Sequence, residues 1–241
     1  MYERSFPGDL VFDCAARSLA GLSDLEIQAL YLQALEDGAR DRFTPVVVYV
    51  DEILTEAVED NFLEVGSPES FRSAVLSEDF DNGPQRLQAL YASLETVIQP
   101  ELLSISEEAL QETLAELEAV DLPDTFPMGQ SSGTPYLLHV PTKHPWKIFA
   151  WIPFCGWNNC PKVSDMIAIC RSWQERFGAI PAMISYDTLS FYFPKPIQEQ
   201  KTAIALAQEQ LAFCDGILEM GSPVYYAVSN LKRHYWSFWW D

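Results

Sequence analysis

The stretch Ile180-Pro-Ala-Met-Ile-Ser-Tyr-Asp-Thr-Leu-Ser-Phe-Tyr-Phe193 decides the fold class of this chain. Two apolar runs, 180–186 and 189–193, flank the polar pair Asp187-Thr188. Strand-forming runs joined by two turn residues make a β-hairpin. Upstream, residues 164–177 place Met166, Cys170, Trp173 and Phe177 on one helical face, and Gly178 supplies a natural stop. Downstream, Pro194 and Pro196 break the chain before a helix bearing Ala203, Leu206, Ala207, Leu211 and Cys214. A short helix near Pro223–Leu231 then leads into the terminal Tyr235-Trp-Ser-Phe-Trp-Trp-Asp241. Further strands are expected over Tyr136–Val140 and Lys147–Phe154. From Lys147 onward the order β-α-β-β-α-(α)-β is that of a ferredoxin-like split βαβ sandwich.

The first half reads differently. Ser23 and Glu26 form a capping-box pattern with Leu22 and Ile27 placed as a hydrophobic staple. Ile27, Leu30, Tyr31 and Ala34 follow at helical spacing, with Gly38 as the expected stop. Thr44-Pro-Val-Val-Val-Tyr-Val50 is most simply a buried strand. Helices are expected from Asp51 to about Asn61, from Pro84 through Ile98, and after Ser104. The fold class is therefore α+β: a mostly helical N-terminal part plus a C-terminal α/β sandwich. Turn formers concentrate at 121–135, which divides the chain into an acidic segment 1–120, a linker, and a Trp-rich domain 136–241.

Charge follows the same division. The chain of 241 residues has a formal net charge of −20. Residues 1–145 hold 27 Asp and Glu against 7 Lys and Arg, whereas residues 146–241 hold 8 of each. All 7 tryptophans fall in the second part. So acidic a chain is repelled by phosphate, which argues against a nucleic-acid ligand. No apolar run reaches the roughly 18–20 residues a membrane span needs. The opening Met-Tyr-Glu-Arg-Ser-Phe-Pro-Gly-Asp lacks the features of a signal peptide, so a cytoplasmic protein is expected. The five cysteines are then expected to be reduced thiols, mostly buried.

Three separated motifs carry a family resemblance. They are Pro145-Trp-Lys-Ile-Phe-Ala-Trp-Ile-Pro-Phe-Cys-Gly-Trp-Asn-Asn-Cys-Pro161, Trp173-Gln-Glu-Arg-Phe-Gly-Ala179 and Trp236-Ser-Phe-Trp-Trp-Asp241. In that order, and with Asp187, Ala207, Glu209, Phe213 and Cys214 in place, they resemble the bacterial domain of unknown function numbered 4253. The resemblance spans roughly the last hundred residues and implies no activity.

Candidate functional residues come from two places. On the helix after Asp51, Glu52, Glu56, Glu59 and Asp60 line one side. Like charges four residues apart cost a helix a few tenths of a kcal/mol per pair, so the stripe opposes its own helix. It is either a solvated, solubilising surface or a docking surface for a basic partner. Trp157 and Asn158 sit in a strand-to-helix loop, where they either present an aromatic face and an amide or simply structure the loop. Trp239 and Trp240 must face opposite sides of a terminal strand, so at most one is deep core. Asp241 is expected to pair with Arg171, Arg176 or Arg233.

Catalytic and metal signatures are weak. Cys155 and Cys160 have no second pair for a zinc site, and nothing fixes His234 as a base for Cys160. No cofactor and no metal are expected. The leading expectation is a protein-binding inhibitor, a bacterial immunity protein that neutralises a basic secreted toxin. Its partner contacts would be Glu52, Glu56, Glu59, Asp60, Trp157, Asn158, Trp240 and Asp241. The alternative is an enzyme or small-ligand-binding protein using a cleft around Trp157, Asn158, Asp187 and Asp241.

Overall fold

The computed structural model describes residues 12–117, 124, 133–154, 158–220 and 222–240. Its centre is one mixed sheet of six strands, in the order β1-β3-β2-β4-β5-β6. These are β1 (Ala15–Ser18), β2 (Thr44–Val50), β3 (Thr134–Val140), β4 (Ile180–Ile184), β5 (Thr188–Tyr192) and β6 (Tyr235–Trp239). Neighbouring strands are antiparallel except for the parallel pair β2 and β4. The helices are α1 (Asp24–Asp41), α2 (Glu52–Leu63), α3 (Pro68–Leu76), α4 (Gly83–Leu94), α5 (Pro100–Leu103) and α6 (Glu107–Leu117) in the acidic segment. Beyond it lie α7 (Val163–Phe177), α8 (Gln200–Phe213), α9 (Ile217–Met220) and α10 (Pro223–Lys232). The α+β class stands.

β2 explains why a continuous apolar run reads as a buried strand. All seven of its residues are buried, with Val46, Val48 and Val50 in the core on one face and Val47 and Tyr49 in the core on the other. On the first face, α2, α3 and α7 pack against the sheet; α1 covers the second. A third cluster joins α6 to α8 and α10. β3 bonds to β1 and β2 of the acidic segment, so one sheet and one core run through both compositional halves. Most of the expected linker, 121–135, lies outside the described residues.

Two local expectations are corrected. Lys147–Phe154 is not a strand: residues Pro145–Ala150 form a 3-10 helix whose Trp146, Ile148, Phe149 and Ala150 are all buried. A short run that is apolar on every side lacks the period that separates strand from buried helix, and Pro145 and Pro153 bracket it. The order β-α-β-β-α-β does occur, starting from β3. However, β2 inserts between β3 and β4 and runs antiparallel to the one and parallel to the other. β3 and β4 are thus antiparallel to each other, which no split βαβ unit allows. Second, α1 continues past Gly38 and ends on left-handed Arg42. Gly38 instead serves close packing, because a Cβ there would meet the Phe43 carbonyl oxygen at 2.5 Å.

Candidate functional site

Two surfaces gather the residues singled out above. The first is the outer face of α2. Asp51 caps this helix, its Oδ1 accepting the Leu54 N–H at 2.8 Å. Leu54, Val58 and Phe62 anchor it in the core, which turns the opposite face to solvent. Glu52, Glu56, Glu59 and Asp60 are all exposed there. Among the described residues none of the four enters an ion pair. The face is not uniformly polar: Ile53 is 56% exposed and Leu63 74%. By helical spacing Leu63 stands four residues from Glu59 and seven from Glu56, in line with the acidic stripe at its C-terminal end, and Ile53 stands on its flank beside Glu56 and Asp60.

Four arginines pair with carboxylates away from α2. Arg86 bonds Asp165 at 2.6 Å, Arg72 bonds Asp13 at 2.7 Å, and Arg176 bonds Glu209 at 2.8 Å. Arg171 pairs with Asp81 and Glu175. Arg86–Asp165 and Arg171–Asp81 tie the acidic segment to α7, Arg176–Glu209 ties α7 to α8, and among the described residues no cation pairs with the acidic face of α2.

The second surface is a cleft of about 340 Å³ where the end of β6 meets α9. Asn158 and Asn159 form one wall, Asp215, Gly216 and Glu219 another, and Trp239 and Trp240 complete the lining. Ile98 and Leu218 supply apolar flanks. The turn holding Asn158 places it in the left-handed region, φ 48, which asparagine tolerates better than most residues. Asn159 Nδ2 donates to Asp215 Oδ2 at 2.7 Å across the cleft. Gly216 has no room for a side chain, since a Cβ would meet the Trp239 carbonyl oxygen at 2.6 Å.

Several bonds hold β6 in register beside the cleft. Trp239 Nε1–H donates to Asp187 Oδ2, and the Trp240 N–H to the Asp187 carbonyl. Cys214 Sγ–H donates to the Trp239 carbonyl at 3.1 Å, and Tyr226 O–H to the Ser237 carbonyl at 2.7 Å. Burial pushes the Cys214 thiol up to about 12 and pushes Tyr226 up as well, so both remain protonated donors.

The expected site residues therefore separate. Glu52, Glu56, Glu59 and Asp60 share one face as read, while Asn158 and Trp240 line the cleft. Trp240 is only 3% exposed and packs on Phe154 and Phe213, so it is not the surface anchor its composition suggested. Trp239 is the partly exposed member of the pair. Asp187 is engaged by Ser185, Thr188 and Trp239 in the hairpin turn rather than presented to a ligand. Trp157 and Asp241 lie outside the described residues. Cys160 is disulfide-bonded, against the expectation of reduced thiols, while Cys14, Cys170 and Cys214 are free and buried. A cysteine count cannot reveal a bridge that depends on how a loop folds. The disulfide also removes Cys160 as a free nucleophile, and His234 is occupied with Asp124. Asp215, Gly216 and Glu219 were missed; the only signal was a turn-forming Asp-Gly pair just after a helix. Among the described residues no group of three or more His, Cys, Asp or Glu could hold a metal ion, and no helix is long and apolar enough to cross a membrane.

Comparison with known families bears on the second surface. Residues 136–241 match the family model of DUF4253, a domain of unknown function. The DUF4253 segment supplies nearly all of β3, the strands β4–β6 and helices α7–α10, and both tryptophan-containing motifs that border the cleft. β1, β2, α2 and the acidic stripe lie outside it. No curated protein and no solved structure matches the chain.

Proposed function

We propose that the protein binds a basic protein partner through the outer face of α2, as an inhibitor of the immunity type that neutralises a basic toxin in the bacterial cytoplasm. The observation that carries this reading is the mixed character of the face: four carboxylates that enter no ion pair among the described residues run along α2 in line with exposed Leu63 at its C-terminal end, with exposed Ile53 beside them. Solubility is served by the carboxylates and gains nothing from two large apolar side chains, Leu63 and Ile53, 74% and 56% exposed on the same side of the helix. A docking surface uses both components. The carboxylates accelerate encounter with a positive partner and reject acidic ones, and the apolar residues supply contact area that slows dissociation. An inhibitor of this kind needs complementary shape and charge, not a catalytic constellation. Capture tests it: tagged protein is purified from its native host beside a Glu52→Lys, Glu56→Lys, Glu59→Lys variant. A stoichiometric basic partner held by the first, released by high salt and absent from the second supports the reading. A partner retained equally by both contradicts it.

A second reading has its own observation in the cleft of about 340 Å³ at Asn158 and Trp240. That volume lies at the small end of ligand sites and supports binding of one small group. The cleft shares no residue with α2.

A further inference from the structure

The cleft carries more information than its volume. Two of its side chains are carboxylates, Asp215 and Glu219, and none of the described residues lining it is basic. Asn159 and Asn158 add amides, and one bond, Asn159 Nδ2 to Asp215 Oδ2, is already made within the wall. That bond uses one of the two carboxylate oxygens of Asp215 and fixes its orientation; the Glu219 side chain enters no ion pair or hydrogen bond among the described residues, its backbone N–H alone bonding the Gly216 carbonyl. The floor is rigid. Gly216 presses its backbone against Trp239, Cys214 donates to the same Trp239 carbonyl, and Trp240 is wedged between Phe154 and Phe213. Ile98 and Leu218 flank the opening with apolar surface.

We infer that this cleft receives an organic cation, an alkylammonium or guanidinium group, whose N–H donors meet Asp215 and Glu219 while its aliphatic stem lies along Ile98 and Leu218. The inference rests on the ligand reading of the cleft and adds the chemistry of its occupant. Charge decides the sign: two carboxylates in a partly enclosed space with no lining cation favour a positive guest and disfavour an anionic one. Among the described residues the cleft offers two carboxylates and two amides, whereas a hard divalent cation takes six or more oxygen ligands, so the lining fits an N–H donor group better than a bare metal ion. Directional donors decide between a point charge and a planar or tetrahedral N–H group. A carboxylate already oriented by an amide accepts from such a group without further ordering. The group is either that of a free small molecule or that of a lysine or arginine side chain on a protein partner, and both present the same chemistry.

Titration of the full chain with methylguanidinium chloride, followed by the indole N–H resonances of the tryptophans, tests this. Potassium chloride at equal ionic strength, methylurea and sodium acetate serve as controls. The expected result is a saturable shift with methylguanidinium, absent with methylurea, and weakened at least fivefold by Asp215→Asn and by Glu219→Gln. Glu219 is exposed and its carboxylate bonds to none of the described residues, so its variant reports binding even if Asp215→Asn perturbs the wall. Comparing agmatine with the tripeptide Gly-Arg-Gly then separates the sources: tighter agmatine points to a small molecule, tighter peptide to a partner side chain. Equal response to methylurea or acetate overturns the cation but leaves a ligand cleft standing. Silence to every probe, or methylguanidinium binding unchanged in both variants, overturns the inference.

Discussion

The indole N–H of Trp239 donates to Asp187 Oδ2 at 2.8 Å, joining residues 52 positions apart in sequence. The same carboxylate takes the hydroxyls of Ser185 and Thr188 through its other oxygen, at 2.8 and 2.9 Å. One side chain thus closes the β4–β5 hairpin and fastens the last strand to it. Asp187→Ala removes three hydrogen bonds to a charged acceptor and leaves partly buried donors unpaired. The expected loss is about 3 kcal/mol of unfolding free energy in urea titration. Asp187→Asn, which keeps an acceptor oxygen, is expected to lose about half as much.

Trp173 is the centre of the aromatic core. It is fully buried, touches Phe191, Phe213, Trp236 and Phe238, and donates its Nε1–H to Glu209 Oε2 at 2.9 Å. Glu209 also accepts from Arg176 at 2.8 Å, so α7 and α8 are joined by one carboxylate. Trp173→Ala is expected to cost about 3–5 kcal/mol. Trp173→Phe keeps much of the volume and loses the bond, and should cost about 1–2 kcal/mol, read from denaturant midpoints.

Stability should fall toward both ends of the pH range. Burial pushes the thiols of Cys14 and Cys214 from 9.0 up to about 12. Above pH 9 the unfolded chain releases these protons while the folded chain keeps them, so stability declines between about pH 9 and 12. Each thiol contributes up to about 1.4 kcal/mol per pH unit in that window. Below about pH 6.5 the sign reverses. His139, stacked on Phe43 with centroids 3.8 Å apart, has its pKa lowered by burial, so the unfolded state takes up a proton that the folded state resists. Denaturant midpoints measured from pH 5 to 11 check both arms. Native alkylation at pH 8 should spare Cys14, Cys170 and Cys214, all three of which react after unfolding.

Gly216→Ala tests the floor of the cleft. The added methyl meets the Trp239 carbonyl oxygen at 2.6 Å, so either α9 or the end of β6 must move. The expected result is a loss of about 1–3 kcal/mol with a changed environment for Trp239 and Trp240, seen in their indole resonances. A fully stable variant with unchanged resonances contradicts the close packing described here.

How much of this was legible in the sequence depended on periodicity. β2 matched its expected range, because a β-branched run bounded by a helix cap has no other reading. The β4–β5 hairpin was legible, although its turn centres on Tyr186-Asp187, one residue before the expected Asp187-Thr188, with Thr188 already in β5; α7 followed from Gly178, which is left-handed at φ 74. β1 escaped notice because Ala15-Ala-Arg-Ser18 carries no strand propensity of its own and is recruited by β3. The stripe on α2 was visible in full, since helical spacing alone fixes its face. Leu63 and Ile53 joining that stripe were equally readable but not read. The cleft was only half visible: Asn158 and Trp240 were named from their motifs, while Asp215 and Glu219 reach them only through the packing of α9 against β6. Tertiary contact of that kind leaves no local pattern.

Recognition of a basic partner by the acidic face of α2 is the proposal on which the function rests. The measurement closest to it is the association rate constant of the captured partner, for the unaltered chain and for the Glu52→Lys, Glu56→Lys, Glu59→Lys variant, at low and at physiological salt. Circular dichroism first establishes that the variant keeps its helices. The variant is expected to associate at least tenfold more slowly at low salt, with a gap that narrows as salt rises. Equal association rates at low salt would contradict it.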